Sequence, residues 1–257
     1  WAPGSEHQGA LGGVFTNPVP QVLAHYTDGR RRTWRVSDQI VARIDSSYEV
    51  IVSPWSLADD TLVTSLSIDP EGAVSLQHLA IDQALFWMTG SFGHTGLNVW
   101  TKAGGVKLLA RWVGDYTKSA GGLGSDGKDM VWNYGEGATG QGIHPVRSIM
   151  TAPFTTDPAQ LKATERRLRS LLNTCIGCEQ NVVGCGYAAQ PAAMNDIQLV
   201  RISDGQSWLI PNAPKQELRV PLGIDCTHLY VTGSIGEDIV NIARVTIASL
   251  GPGVAAD

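Results

Sequence analysis

The chain has 257 residues, 43% of them hydrophobic and 17% charged, with a net charge of -5 and a pI near 5.7. That length can bury a sizeable core. The acidic balance offers no basic field for phosphates, which argues against nucleic acid and anionic membrane surfaces as partners, and no run approaches the roughly 18 consecutive apolar residues a spanning helix needs.

In chain order, residues 1–20 read as an irregular arm, and a start at Trp1 rather than Met suits a processed secreted protein or a trimmed chain. Gln21 to Gly29, ending in Asp28-Gly29 before Trp34, has the alternation and turn dipeptide of a hairpin. The basic runs Arg30, Arg31, Arg32 and Arg166, Arg167, Arg169 read as solvated faces or turns of outer strands.

A repeat organises the rest. Leu79-Ala80-Ile81-Asp82 running into Phe86-Trp87-Met88-Thr89-Gly90-Ser91 returns as Leu222-Gly223-Ile224-Asp225 running into Leu229-Tyr230-Val231-Thr232-Gly233-Ser234, identical at six of thirteen positions. Weaker copies hold Asp45 and Asp126, so the aspartates lie 37, 44 and 99 residues apart, and a degraded copy at Asn181 to Ala189 fills the long interval. A period in the forties built of strand, turn and strand predicts an all-β propeller of four-stranded antiparallel blades. Units starting near Asp38, Gln77, Ala120, Gln180 and Val220 give about five blades in a single domain over residues 1–257, with 251–257 as a C-terminal tail.

Outer hairpins are expected at Asn98 to Trp112 across Gly104-Gly105, and at Gln198 to Trp208 across Asp204-Gly205. The last unit has a third strand, Asn241 to Ser249, but no fourth. Arg32 to Val36 is expected to supply it and close the ring; the alternative is that the chain is part of a larger propeller. Asp157-Pro158 could open a helix. The repeat instead places an outer hairpin there, Ser148 to Phe154 and Thr164 to Leu171, and the strand reading is preferred.

The Leu-Ala-Ile-Asp and Phe-Trp-Met-Thr unit resembles a propeller repeat common in secreted or surface-attached bacterial proteins. Val182 to Ala189 and the closing Ser249-Leu250-Gly251-Pro252-Gly253 look like the C-terminal blades of such proteins. The resemblance runs from about Val22 to Gly253 and implies the fold and an extracellular or cell-surface setting. It brings no catalytic residue to transfer.

The repeated Asp45, Asp82, Asp126 and Asp225 could in principle be paired acids of a glycosidase. Their recurrence in each copy favours turn capping. Function is expected where the copies differ, above all at Asn133 to Pro145, the longest second-to-third-strand loop, which holds Tyr134, Glu136 and His144. Equivalent loops hold Trp55, Phe92 with His94, and Glu237 with Asp238. Trp55, Phe92, His94, Tyr134, Glu136 and His144 are the predicted ligand-binding set, because aromatic faces stack on a sugar or peptide while carboxylates and imidazoles orient it. The bland alternative is a polar surface loop.

No histidine or cysteine spacing forms a zinc site, and no phosphate loop or nucleophile elbow is present, so neither metal nor cofactor is expected. Four cysteines, an even number, lean towards an oxidising compartment. The preferred pairing is Cys175 with Cys178 and Cys185 with Cys226, the second tying the last two blades together. Three connectivities are open, as is a reduced state. Trp34, Trp87, Trp100, Trp112, Trp132 and Trp208 recur at blade positions and are expected in the core.

The leading expectation is a non-catalytic recognition protein with a glycan or protein ligand. The runner-up is a polysaccharide hydrolase or lyase with Glu136 and His144 as acid and base, and a third is a structural subunit of a larger extracellular assembly.

Overall fold

The structure is a computed structural model that describes residues 32–37, 39–45, 50–54, 61–63, 74–91, 94–113, 118–136, 146–170, 181–192, 196–211, 217–234 and 240–255. The arm at 1–20 and the hairpin at 21–29 lie outside these residues.

Strands β1 (Arg32–Val36), β2 (Ile40–Asp45), β3 (Val50–Pro54) and β4 (Thr61–Val63) form the first sheet. The second is β5 (Val74–Ile81), β6 (Ala84–Ser91), β7 (His94–Thr101) and β8 (Gly105–Val113). The third is β9 (Lys118–Ser125), β10 (Asp129–Glu136), β11 (Val146–Pro153) and β12 (Arg166–Ser170), and the fourth is β13 (Val182–Gly184), β14 (Tyr187–Pro191), β15 (Ile197–Arg201) and β16 (Ser207–Ile210). Three described strands make the fifth: β17 (Glu217–Ile224), β18 (His228–Ser234) and β19 (Val240–Thr246). Within every sheet each strand pairs antiparallel with the next in the chain.

Strand periodicity turns this order into stacking. On β6, Leu85 and Trp87 point one way and join Ile40, Ala42 and Trp100 in a cluster between the first and second sheets. Phe86 and Met88 point the other way, joining Leu123, Met130 and Trp132 between the second and third. The pattern repeats on β10, where Met130 and Trp132 face back while Val131 faces forward onto Ala188 and Val200 of the fourth sheet. Ala189 and Leu199 then meet Leu229 and Val231 of the fifth. A strand buried on both faces reads as a continuous apolar run, which is how Leu85-Phe86-Trp87-Met88 and Met130-Val131-Trp132 are written.

The first strands approach each other closely. A Cβ on Gly124 would lie 2.1 Å from the Asn181 carbonyl oxygen, and one on Gly184 would lie 2.5 Å from that of Ile224, so only glycine permits this spacing. Asn181 fastens the third sheet to the fourth: its backbone N–H and its side-chain Nδ2 both donate to the Gly122 carbonyl.

Four expectations need correction. Arg32–Val36 does not complete the last sheet; it pairs with β2 in its own. Ser37 closes that hairpin locally, its N–H donating to the Ile40 carbonyl and its Oγ accepting from the amides of Gln39 and Ile40. The Asp45 copy therefore ends the second strand of its sheet, whereas Asp82, Asp126 and Asp225 each follow a first strand. Asn133 to Glu136 belong to β10, paired with β11 from Asn133↔Ile149 to Glu136↔Val146, rather than to a loop. In the basic run of β12, Arg166 and Arg167 are exposed but Arg169 is buried.

The fourth correction concerns helix and hairpin, which coexist. Helix α1 (Pro158–Thr164) lies inside the connection from β11 to β12. Asp157 caps it, accepting from the Ala159 amide at 2.8 Å, and Pro158 occupies its first turn. Glu165, with ψ 136°, returns the chain to extended backbone for β12. Leu161 is fully buried in the cluster between the second and third sheets. Leu161→Ala is expected to lower unfolding free energy by about 3 kcal/mol in urea titration, whereas Lys162→Ala, on the exposed side, should change it by less than about 0.5 kcal/mol.

Candidate functional site

The stacking leaves a groove of about 660 Å³ where α1 leans against β8. Leu109 and Leu161 form its buried floor, and Trp112 and Tyr134, both half-buried, supply aromatic walls. The exposed Arg111 and Lys162, with Glu165, stand at the rim. Trp112 is held against the fully buried Trp132, ring centroids 6.2 Å apart. Register places Trp112 opposite Thr95, one pair in from His94↔Val113, and Tyr134 two residues before the end of β10. The aromatic pair thus sits towards the ends of the second and third sheets that carry the β6–β7 and β10–β11 connections.

Of the predicted ligand-binding set, the structure brings Tyr134 into this groove. His94 begins β7 and Glu136 ends β10, with their side chains outside the described atoms, and Trp55, Phe92 and His144 lie outside the described residues. The segment holding Trp55 joins a third strand to a fourth, so it is not equivalent in its sheet to the other loops. Trp112, expected in the core, is half-buried: it packs against the core cluster and also forms a groove wall. Arg111, Lys162 and Glu165 were missed because nothing in the repeat announces that α1 will meet β8; the signal available was the Asp157-Pro158 cap.

A smaller cavity of about 440 Å³ opens towards the other end of the second sheet, lined by Asp82, Gln83, Thr101, Lys102, Phe154 and Thr156 among others. Phe154 packs edge-on against Phe86, with ring centroids 5.4 Å apart. Asp82 is exposed there with a left-handed φ of 46°, and its carbonyl accepts from Ser37 Oγ at 2.5 Å.

Asp126 and Asp225 are turn caps. Asp126 Oδ1 accepts from the amides of Lys128 and Asp129, each at 3.0 Å. Asp225 accepts from Thr227 Oγ1, from the Tyr230 hydroxyl and from the amides of Thr227 and His228, all at 2.7 Å. Those bonds, the Thr227 hydroxyl first, hold its carboxyl well below the usual carboxylate range, and the bond to Asp225 pushes the Tyr230 hydroxyl up. A carboxylate so fully engaged is unsuited to exchanging protons with a substrate. Burial, and then the charge of Asp126, push the Asp129 carboxyl up. Among the described residues no group of three or more His, Cys, Asp or Glu is placed to hold a metal ion.

The disulfide Cys185–Cys226 joins the β13–β14 turn to the β17–β18 turn, tying the fourth sheet to the fifth. Cys185 and Gly186, with φ of 49° and 78°, make the two-residue turn that carries the first sulfur. Cys175 and Cys178 lie outside the described residues. No described helix is long and apolar enough to cross a membrane.

No family model matches the chain, and no curated protein matches it in sequence. Solved structures do. The computationally designed Ika8 protein aligns with a TM-score of 0.52 at 15% identity over 84% of this chain and 58% of its own. A prolyl endopeptidase aligns at 0.54 and 16% over 93% and 36%, and the Synechocystis apocarotenoid oxygenase at 0.51 and 10% over 90% and 62%. The fold is a β-propeller. The chain spans 36% to 62% of the lengths of these propeller proteins, and at such identities the likeness concerns fold alone.

The capped turns give the propeller an acid-sensitive component. Arg201 grips Asp204 through two side-chain bonds of 3.0 and 2.5 Å, and that grip, helped by the Gln206 amide, lowers the Asp204 carboxyl to about 2. A depressed carboxyl adds stability that is complete above its ordinary value of 3.8 and is lost as pH falls through its folded value. Urea midpoints should therefore fall between about pH 4 and pH 2, and the fall should be shallower in Asp204→Asn and in Asp225→Asn. Parallel curves for all three proteins would contradict these assignments.

Proposed function

We propose that this propeller is a non-catalytic recognition module whose ligand seats in the groove between β8 and α1. One observation carries the reading: two half-exposed aromatic side chains, Trp112 and Tyr134, share a 660 Å³ groove with Arg111 and Lys162, and Glu165 is the sole carboxylate among its described lining. Aromatic faces stack on the apolar face of a sugar ring, and cations at the rim suit a carboxylate on it. A single carboxylate does not make the acid pair that glycoside hydrolysis commonly uses. The preferred ligand is an acidic glycan, with a protein segment bearing an exposed carboxylate as the alternative in the same groove.

A secreted or surface-attached setting, of the bacterial kind that the repeat resembles, belongs to this proposal. The interblade disulfide supports it, because such bonds persist in oxidising compartments. The reading of residues 1–257 as one domain also belongs to this proposal, and the core that each described sheet shares with its chain neighbour supports it. The assembly reading draws on Ile242, 72% exposed on β19, the last of the three described strands of its sheet.

The test is a glycan array probed with the wild-type chain and with a Trp112→Ala, Tyr134→Ala double variant that remains folded by circular dichroism. Binding to acidic glycans that drops by about tenfold or more in the variant is the expected result. Unchanged binding in the variant would move the site elsewhere, and silence from the folded wild type would overturn the glycan reading.

A further inference from the structure

After the fifth sheet, a 3-10 turn at Ile247–Ser249 sends the chain back to β16, the outer strand of the fourth sheet. There residues 251–255 lie in a groove that grips main chain. Ser207 donates its N–H to the Val254 carbonyl at 2.9 Å, and Val254 donates to the Ser207 carbonyl at 2.8 Å, forming an antiparallel bridge. The Trp208 indole N–H donates to the Gly251 carbonyl at 3.0 Å and Gln206 Nε2 to the Gly253 carbonyl at 3.3 Å. Arg169 reaches over from β12 of the third sheet; its Nη1 donates to the carbonyls of Val254 and Ala255, each at 2.8 Å, and to Gly205 O at 3.2 Å.

The chemistry of this groove is that of a peptide receptor. Arg169 is only 7% exposed, and a guanidinium taken out of water requires acceptors, two of which the tail provides. Each of these bonds that reaches the tail is to its backbone, while Val254 is 65% exposed, so little of the grip depends on side-chain identity. The exception is Gly253: a Cβ there would lie 2.7 Å from the Trp208 ring and 2.8 Å from Gln206 Cγ and from the Ser207 carbonyl oxygen. An outer strand with unpaired backbone groups is also where extended peptides add to a sheet.

We propose that the β16 edge, with Arg169, Gln206 and Trp208, is a docking surface for an extended peptide segment of a partner protein, one with glycine at the position of Gly253 and a small or apolar residue after it, and that residues 251–255 are its resident, displaceable occupant. The tail then acts as a competitor, and the partner binds by strand exchange at the same backbone contacts.

The probe is a synthetic peptide of the sequence of residues 251–257, added to the full wild-type chain and followed by amide hydrogen exchange. Displacement predicts that the Val254 amide exchanges faster by about tenfold while Ser207 stays protected by the incoming strand. A peptide with valine at the Gly253 position should have no effect. In the full chain carrying Gly253→Val the tail is evicted, and the labelled wild-type peptide should bind about tenfold more tightly than it does to wild type. Should that variant not fold, the wild-type exchange arm still decides. Unchanged Val254 exchange at saturating peptide, or equal competition by the valine peptide, would overturn the proposal. Self-association of the wild-type chain that the peptide dissolves would overturn it in favour of tail exchange with a second copy.

Discussion

Burial of β6 and β10 on both faces is the constraint on which the architecture rests. Leu85 and Trp87 serve one interface and Phe86 and Met88 the next, so one strand belongs to two cores at once. A sheet with both faces covered cannot stop at a sandwich; each must find a neighbour on either side, and successive sheets therefore stack in chain order. The glycines at 124 and 184 let the first strands approach where the stack is tightest, and Asn181 and the Cys185–Cys226 bridge fasten neighbouring sheets.

The groove follows from one departure from that regularity. Inserting α1 into the outer hairpin of the third sheet sends Leu161 into the shared core, which fixes the helix against β8 and leaves its Lys162 at the rim. Trp112 lines the groove because α1, rather than a further strand, meets β8 there, while its ring still leans on the buried Trp132. Core strands and a capped helix hold the groove's walls.

Much of the fold was legible because a propeller writes itself repeatedly. The turns at Asp82 and Asp225, written Leu-x-Ile-Asp, and the one at Asp126, written Leu-x-Ser-Asp, each fall between first and second strands, and Asp126 and Asp225 cap their turns through the side chain. The repeat misplaces the first sheet because Ser37 forms a tight local hairpin that the pattern around Asp45 does not reveal. Near Asp157 two correct signals were set against each other, since a seven-residue helix fits between two strands without disturbing either. The candidate site was less legible. Tyr134 reads in the sequence as a loop residue and is strand, while its groove partners come from β8 and α1, elements whose meeting depends on the packing of one sheet on another. Arg169 looked like part of a solvated basic run; its burial depends on the returning tail, which no local pattern encodes.

The stacking of the second sheet on the third is tested most directly by a double-mutant cycle on Phe86 and Phe154, whose rings meet edge-on across that interface at 5.4 Å. Unfolding free energies of Phe86→Ala, Phe154→Ala and the double variant should show a coupling of about 0.5–1.5 kcal/mol. Strict additivity would mean that the two rings do not meet, and would contradict the interblade core that positions both the groove and its walls.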